Sequence, residues 1–123
     1  MSEGYKDLIV FKKAYKLAGK IFLLSKAFPV EERYSLTDQI RRSSRSVCVN
    51  IAEGYRKRIY PNHFRSKMSD ADAECSETIV WLDFALECRY ITMEQHNMLI
   101  NQYNEVGKML GAMIKHPDKF VPE

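Results

Sequence analysis

From Phe64 to Ala85, an apolar or small residue recurs at alternating steps of four and three: Phe64, Met68, Ala71, Cys75, Thr78, Leu82 and Ala85. A repeat averaging about 3.5 residues keeps one side of an α-helix against partner helices along its whole length. It does not fit the two-residue period of a strand. A chain carrying such a seam must supply other helices to cover it.

The rest of the sequence does so. A first helix is expected over residues 6–27, with Leu8, Phe11, Tyr15, Ala18 and Phe22 on one stripe and Ala14, Leu17, Ile21 and Phe28 on a second beside it. Lys12, Lys13, Lys16, Lys20 and Lys26 take much of the remaining surface. Phe28-Pro29 ends it, because the residue before proline is driven out of the α region. A second helix spans 35–55, with the Ser35 hydroxyl as cap and Asp38 at the positive end. Leu36, Ile40, Val47 and Ile51 form its apolar side, Gln39, Ser43, Ser46 and Asn50 a small polar seam, and Gly54 its stop.

Pro61 suits the first turn of a third helix, 61–89, whose seam is broadened by Ile79, Trp81, Phe84 and Leu86. Arg89-Tyr90-Ile91 makes the turn. A fourth helix, 92–115, opens on a capping box from Thr92 to Gln95 and carries the stripe His96, Leu99, Tyr103, Val106, Leu110 and Met113. A short tail, 117–123, follows. The expected fold is all-α: an antiparallel up-and-down four-helix bundle forming one domain over residues 1–123, with Phe11, Ile40, Ile51, Trp81, Leu82 and Tyr103 largely buried.

Catalysis finds little support. A di-iron bundle needs inward Glu-x-x-His pairs, and the sequence has none; His63, His96 and His116 fall on or near different helix ends. There is no glycine-rich phosphate loop and no Gly-x-Ser-x-Gly turn. Glu53 beside Asn50 reads as a hydrogen-bonded pair at a helix end. Cys48, Cys75 and Cys88 lack metal-site spacing. The last two fall about 20 Å apart on one helix, which suits reduced thiols. No catalytic residue, metal ligand or cofactor is expected, and the chain reads as a non-enzyme. With no apolar run near the roughly 18 residues of a membrane span and no hydrophobic leader in MSEGYKD, the expected setting is cytoplasmic, away from membranes.

The charge is more informative. Net charge is +3, yet residues 1–60 hold 13 Lys and Arg against 6 Asp and Glu, while residues 61–123 hold 6 against 10. Arg41, Arg45 and Arg56 fall within about a quarter-turn of one another on the outer side of the second helix. Lys57, Arg58, Arg65 and Lys67 extend the basic track, and Tyr55 and Tyr60 stand beside it as groups able to stack bases. Val49 and Ala52 sit among these arginines, where a purely solvated surface would be polar, and so suit a subunit contact. Asp70, Asp72, Glu74, Glu77 and Asp83 could supply the opposite charge from a neighbouring copy.

Several motifs resemble a known family. They are Phe28-Pro29, Glu32, Tyr34, Leu36, Gln39-Ile40-Arg41-Arg42, Ser46 and the block Asn50-Ile51-Ala52-Glu53-Gly54. Phe64, Glu74-x-x-Glu77-Thr78, Trp81-Leu82 and Tyr90-Ile91 follow downstream. Together they resemble the 23S rRNA intervening-sequence proteins, small bacterial four-helix bundles. The chain departs from that pattern at Arg45, Cys48 and Tyr60. The resemblance implies a homo-oligomeric ring of five and a link to nucleic acid. The family is in turn similar to the accessory subunit of diversity-generating retroelements, which implies a reverse transcriptase or another protein as partner.

Two functions follow as expectations. One is a non-catalytic oligomeric bundle that binds nucleic acid, RNA before DNA, through Arg41, Arg45, Arg56, Lys57, Arg58, Arg65 and Lys67. The other is a protein-interaction scaffold whose arginines serve subunit contacts.

Overall fold

The computed structural model describes residues 4–120. Four helices, α1 (Ile9–Ser25), α2 (Leu36–Arg56), α3 (Pro61–Glu87) and α4 (Met93–Lys115), form an antiparallel up-and-down bundle, with no strand among the described residues. Each helix packs on the next in sequence and α4 closes onto α1, leaving α1 and α3 on the diagonal without close backbone approach.

The helix ends have identifiable causes. α1 begins only at Ile9, because Gly4–Asp7 forms a separate 3-10 turn and Leu8 is extended. Ser35 does not cap α2. Its hydroxyl instead donates to Glu32 Oε1 at 2.6 Å. Pro61 occupies the first turn of α3, where an absent N–H leaves no bond unmade. α3 stops with Arg89 in the left-handed region, φ 62°. The N–H of Tyr90 donates to Ala85 O and that of Arg89 to Leu86 O, both at 2.9 Å, a Schellman closure made without glycine. At α4 the capping box is complete: Gln95 N–H donates to Thr92 Oγ1 at 3.1 Å, and Thr92 N–H to Gln95 Oε1 at 2.9 Å.

All seven residues of the Phe64–Ala85 seam are buried, as are Leu36, Ile40, Val47 and Ile51 of α2. On α4, Leu99, Tyr103, Val106, Leu110 and Met113 are buried and His96 is half-buried. Two expected core residues are not in the core. Phe11 is half-buried, and Trp81 lies at the edge, donating its indole N–H to Glu77 Oε2 at 3.0 Å. Phe84 points outward as well.

The reason is clearest on α1, where Val10, Ala14, Leu17 and Ile21 face inward. The neighbouring stripe runs along the flank, with Phe11, Ala18 and Phe22 half-buried and Tyr15 68% exposed. A bundle helix buries an arc of roughly 100°, so two adjacent stripes cannot both reach the centre.

Gly54 is no helix stop, since α2 continues to Arg56. It is buried against α3, where a Cβ would come within 2.8 Å of Met68 Cε and 2.9 Å of Lys67 Cβ. The glycine lets the two helices approach closely. Of the polar seam, Ser43 alone bonds across the core, its hydroxyl 2.8 Å from Thr78 Oγ1. Asn50 Nδ2 donates to Ser46 O at 3.0 Å within its own helix.

Candidate functional site

The seven candidate cations fall in two places. Arg41 and Arg45 lie in the first half of α2, and Arg56, Lys57, Arg58, Arg65 and Lys67 gather at the α2–α3 turn.

Most of them have partners within the chain. Arg41 is half-buried; its Nε donates to Ser25 Oγ at 2.8 Å and its guanidinium lies over the Phe22 ring at 4.8 Å. Arg58 covers the Tyr55 ring at 4.1 Å and donates Nη1–H to Tyr55 O at 3.0 Å, so that ring face is already occupied. Arg65 Nε donates to the Ile114 carbonyl at 3.1 Å, satisfying an acceptor in the last turn of α4. Lys67 Nζ sits 2.8 Å from Glu53 Oε2, and this bond raises the lysine pKa above its ordinary value. Glu53 therefore partners Lys67 rather than Asn50.

Arg56 and Lys57 remain exposed, without an ion pair among the described residues. Arg45 is also exposed, its guanidinium 5.7 Å from the Phe22 ring. Tyr60, 54% exposed, meets His63 edge-on with centroids 5.9 Å apart. The structure therefore gathers the turn cations into one basic end, with Arg56 and Lys57 as its open charges.

Val49 and Ala52 occupy a different surface. They line an apolar groove of about 480 Å³ between α1 and α2, together with Tyr5, Phe11, Tyr15 and Phe22. Its far wall is the α1 stripe displaced from the core. The ring of Tyr5, carried by the 3-10 turn, meets Phe11 edge-on at 4.9 Å, and Phe11 stacks on Tyr15 at 5.8 Å. Sequence reasoning counted Phe11, Tyr15 and Phe22 as core and missed Tyr5. The available signal was the redundancy of two adjacent apolar stripes on one helix.

Three of the five acidic residues expected to serve a neighbouring copy, Glu74, Glu77 and Asp83, have partners within the chain. Arg42 pairs with Glu74 at 3.2 Å and with Glu77, which in turn accepts from Trp81. Asp83 Oδ1 lies 2.7 Å from His96 Nε2. This α2–α3 network was not anticipated, although Arg42 and the Glu74-x-x-Glu77 spacing were both visible.

No group of three or more His, Cys, Asp or Glu able to hold a metal occurs among the described residues. Burial pushes the Cys48 thiol up to about 11 and that of Cys75 up to about 12, which disfavours the nucleophilic thiolate at neutral pH. Cys88, at the end of α3, is exposed. No helix among the described residues is long and apolar enough to cross a membrane.

Comparison with known proteins places the molecule. The model of the 23S rRNA-intervening sequence protein family matches residues 6–112. A crystal structure of a protein of unknown function from the S23 ribosomal protein family of Bacteroides thetaiotaomicron is 31% identical and superposes with a TM-score of 0.79. That match covers 87% of this chain and 96% of the other. No curated protein matches. The chain belongs to the 23S rRNA-intervening sequence protein family.

Proposed function

We propose that this chain is a non-catalytic, cytoplasmic homo-oligomer that binds nucleic acid through the basic end of its bundle, preferring RNA to DNA. The observation that carries the reading is the pair Arg56 and Lys57, exposed and free of ion pairs among the described residues. They extend from an end whose other cations are already positioned by Tyr55, Ile114 and Glu53. Guanidinium groups match phosphate oxygens bidentately, and nothing at this end is shaped to read base edges, so binding is weakly sequence-specific. The exposed Tyr60 ring offers a stacking face to an unpaired base. The family name refers to ribosomal RNA, which fits the preference for RNA.

The two surfaces divide the work between the rival expectations. Arg41 and Arg45, held over Phe22 at the groove, serve the subunit contact. The turn cations serve the polyanion. The oligomer is a ring, five-membered by family resemblance. A reverse transcriptase or other protein partner rests on the retroelement resemblance alone and is not required for binding.

Salt-dependent RNA binding tests this. Replacing Arg56, Lys57 and Arg58 together by alanine should weaken binding strongly at low salt. The log–log salt slope should fall by about 0.7 for each single-strand phosphate that the variant no longer neutralises. Helical content should not change, because these residues lie beyond the core of α2. Equal affinity for parent and triple variant would place the site elsewhere, and no binding by either would leave the scaffold reading standing.

A further inference from the structure

Val80 and Phe84 are each about half exposed, 48% and 53%, and stand one helical turn apart on the outer side of α3. The Phe84 ring lies 5.9 Å from that of Trp81, so the three side chains form one apolar ridge. Glu87, a turn further on, is exposed and has no ion pair among the described residues. Asp83 flanks the ridge with its carboxylate 60% exposed, although His96 contacts one oxygen. The molecule thus carries an apolar ridge edged with carboxylates and, separately, an apolar groove edged by Arg45, with Arg41 beside it over the Phe22 ring.

We infer that the Val80–Phe84 ridge of one copy seats in the α1–α2 groove of the next, with Glu87 and Asp83 facing Arg45 and Arg41. The inference rests on the oligomeric reading proposed above and names the surface that fills the groove. The two surfaces are complementary in both shape and charge. Apolar side chains project from one surface and line the recess of the other, and the fringing charges are opposite. Because the two patches differ, the contact is heterologous: each copy uses its ridge once and its groove once. The groove lies between α1 and α2, while α3 stands diagonally across from α1. The patches therefore do not lie back to back, and successive copies rotate, as a closed ring requires.

A complementation experiment separates this arrangement from any other. Val49→Glu places a charge in the groove and leaves the ridge intact, whereas Phe84→Glu spoils the ridge and leaves the groove intact. Both positions are 53% exposed, so both variants should keep the parent's circular-dichroism spectrum and thermal midpoint. Each alone should sediment as a monomer where the parent is a ring. Mixed in equal amounts they should form a one-to-one dimer and stop, because a single intact ridge meets a single intact groove. Val80→Glu provides a second ridge variant and should behave as Phe84→Glu does.

If the ridge variants assemble like the parent while Val49→Glu does not, the groove holds something other than the ridge. That result overturns this inference and leaves the oligomer standing. A mixture that remains monomeric also overturns it. A parent that sediments as a monomer at high micromolar concentration overturns the oligomeric reading itself.

Discussion

Ile51 and Val49 stand two residues apart on α2, yet they face sides of the bundle built in different ways. Around Ile51 the packing is closed. Gly54 brings the helices to near backbone contact, Ser43 meets Thr78 inside the core, and Arg42 joins Glu74 and Glu77 outside it. Around Val49 the surface is open, a groove of aromatic and small side chains whose polar fringe is arginine. The α2–α3 side satisfies its own polar groups and fills its own space, which makes it the part that holds the fold. The α1–α2 side leaves apolar surface in water.

The strongest way to test this contrast is a pair of truncations. Ile51→Ala removes a fully buried side chain and should cost about 2–5 kcal/mol. Val49→Ala, at a half-exposed site, should alter monomer stability by no more than about 0.5 kcal/mol. Urea unfolding of both under conditions where the protein is monomeric reads the difference directly. Similar losses at the two positions would erase the distinction between the sides.

A smaller effect is expected at Gly54. A methyl group there overlaps Met68 Cε, a flexible chain end, and Lys67 Cβ, which cannot move without its backbone. Overpacking of this kind costs about 1–3 kcal/mol, partly offset by about 1 kcal/mol from replacing glycine inside a helix. Gly54→Ala should therefore lower the urea midpoint with an unchanged slope, by up to about 2 kcal/mol net. A gain in stability would mean that the α2–α3 approach is looser than its geometry indicates.

The smallest effect lies at the end of the bundle, where Glu32 ties the α1–α2 and α3–α4 turns together. Hydrogen bonds from Ser35 Oγ and from Tyr90 OH, at 2.9 Å, hold its carboxyl below the usual glutamate value. A group with a depressed folded pKa stabilises the fold above its unfolded pKa, and that contribution is lost as pH falls through the folded value. Tyr90→Phe removes one of the two donors. NMR titration should then show the Glu32 carboxyl nearer its ordinary pKa, still lowered by Ser35, with a shallower acid limb of stability. An unmoved titration would show that the turn-to-turn bond contributes nothing.

The helices and their order were legible before any fold was known, because the spacing of apolar residues is set by the pitch of a single helix and needs no neighbour. The seven-residue seam of α3, the capping box at Thr92 and the proline at the start of α3 are local facts of this kind. The pattern also marked Val49 and Ala52 as misplaced for a solvated face. Which of two adjacent stripes on α1 became core was settled by packing, because that depends on the direction from which α2 and α4 approach. Packing likewise settled the fate of the charges. Arg42 meets Glu74, Arg65 meets Ile114 and Lys67 meets Glu53 across helices, at separations of 32, 49 and 14 residues, and no pattern within one helix reports whether such a charge is engaged or left open to a polyanion.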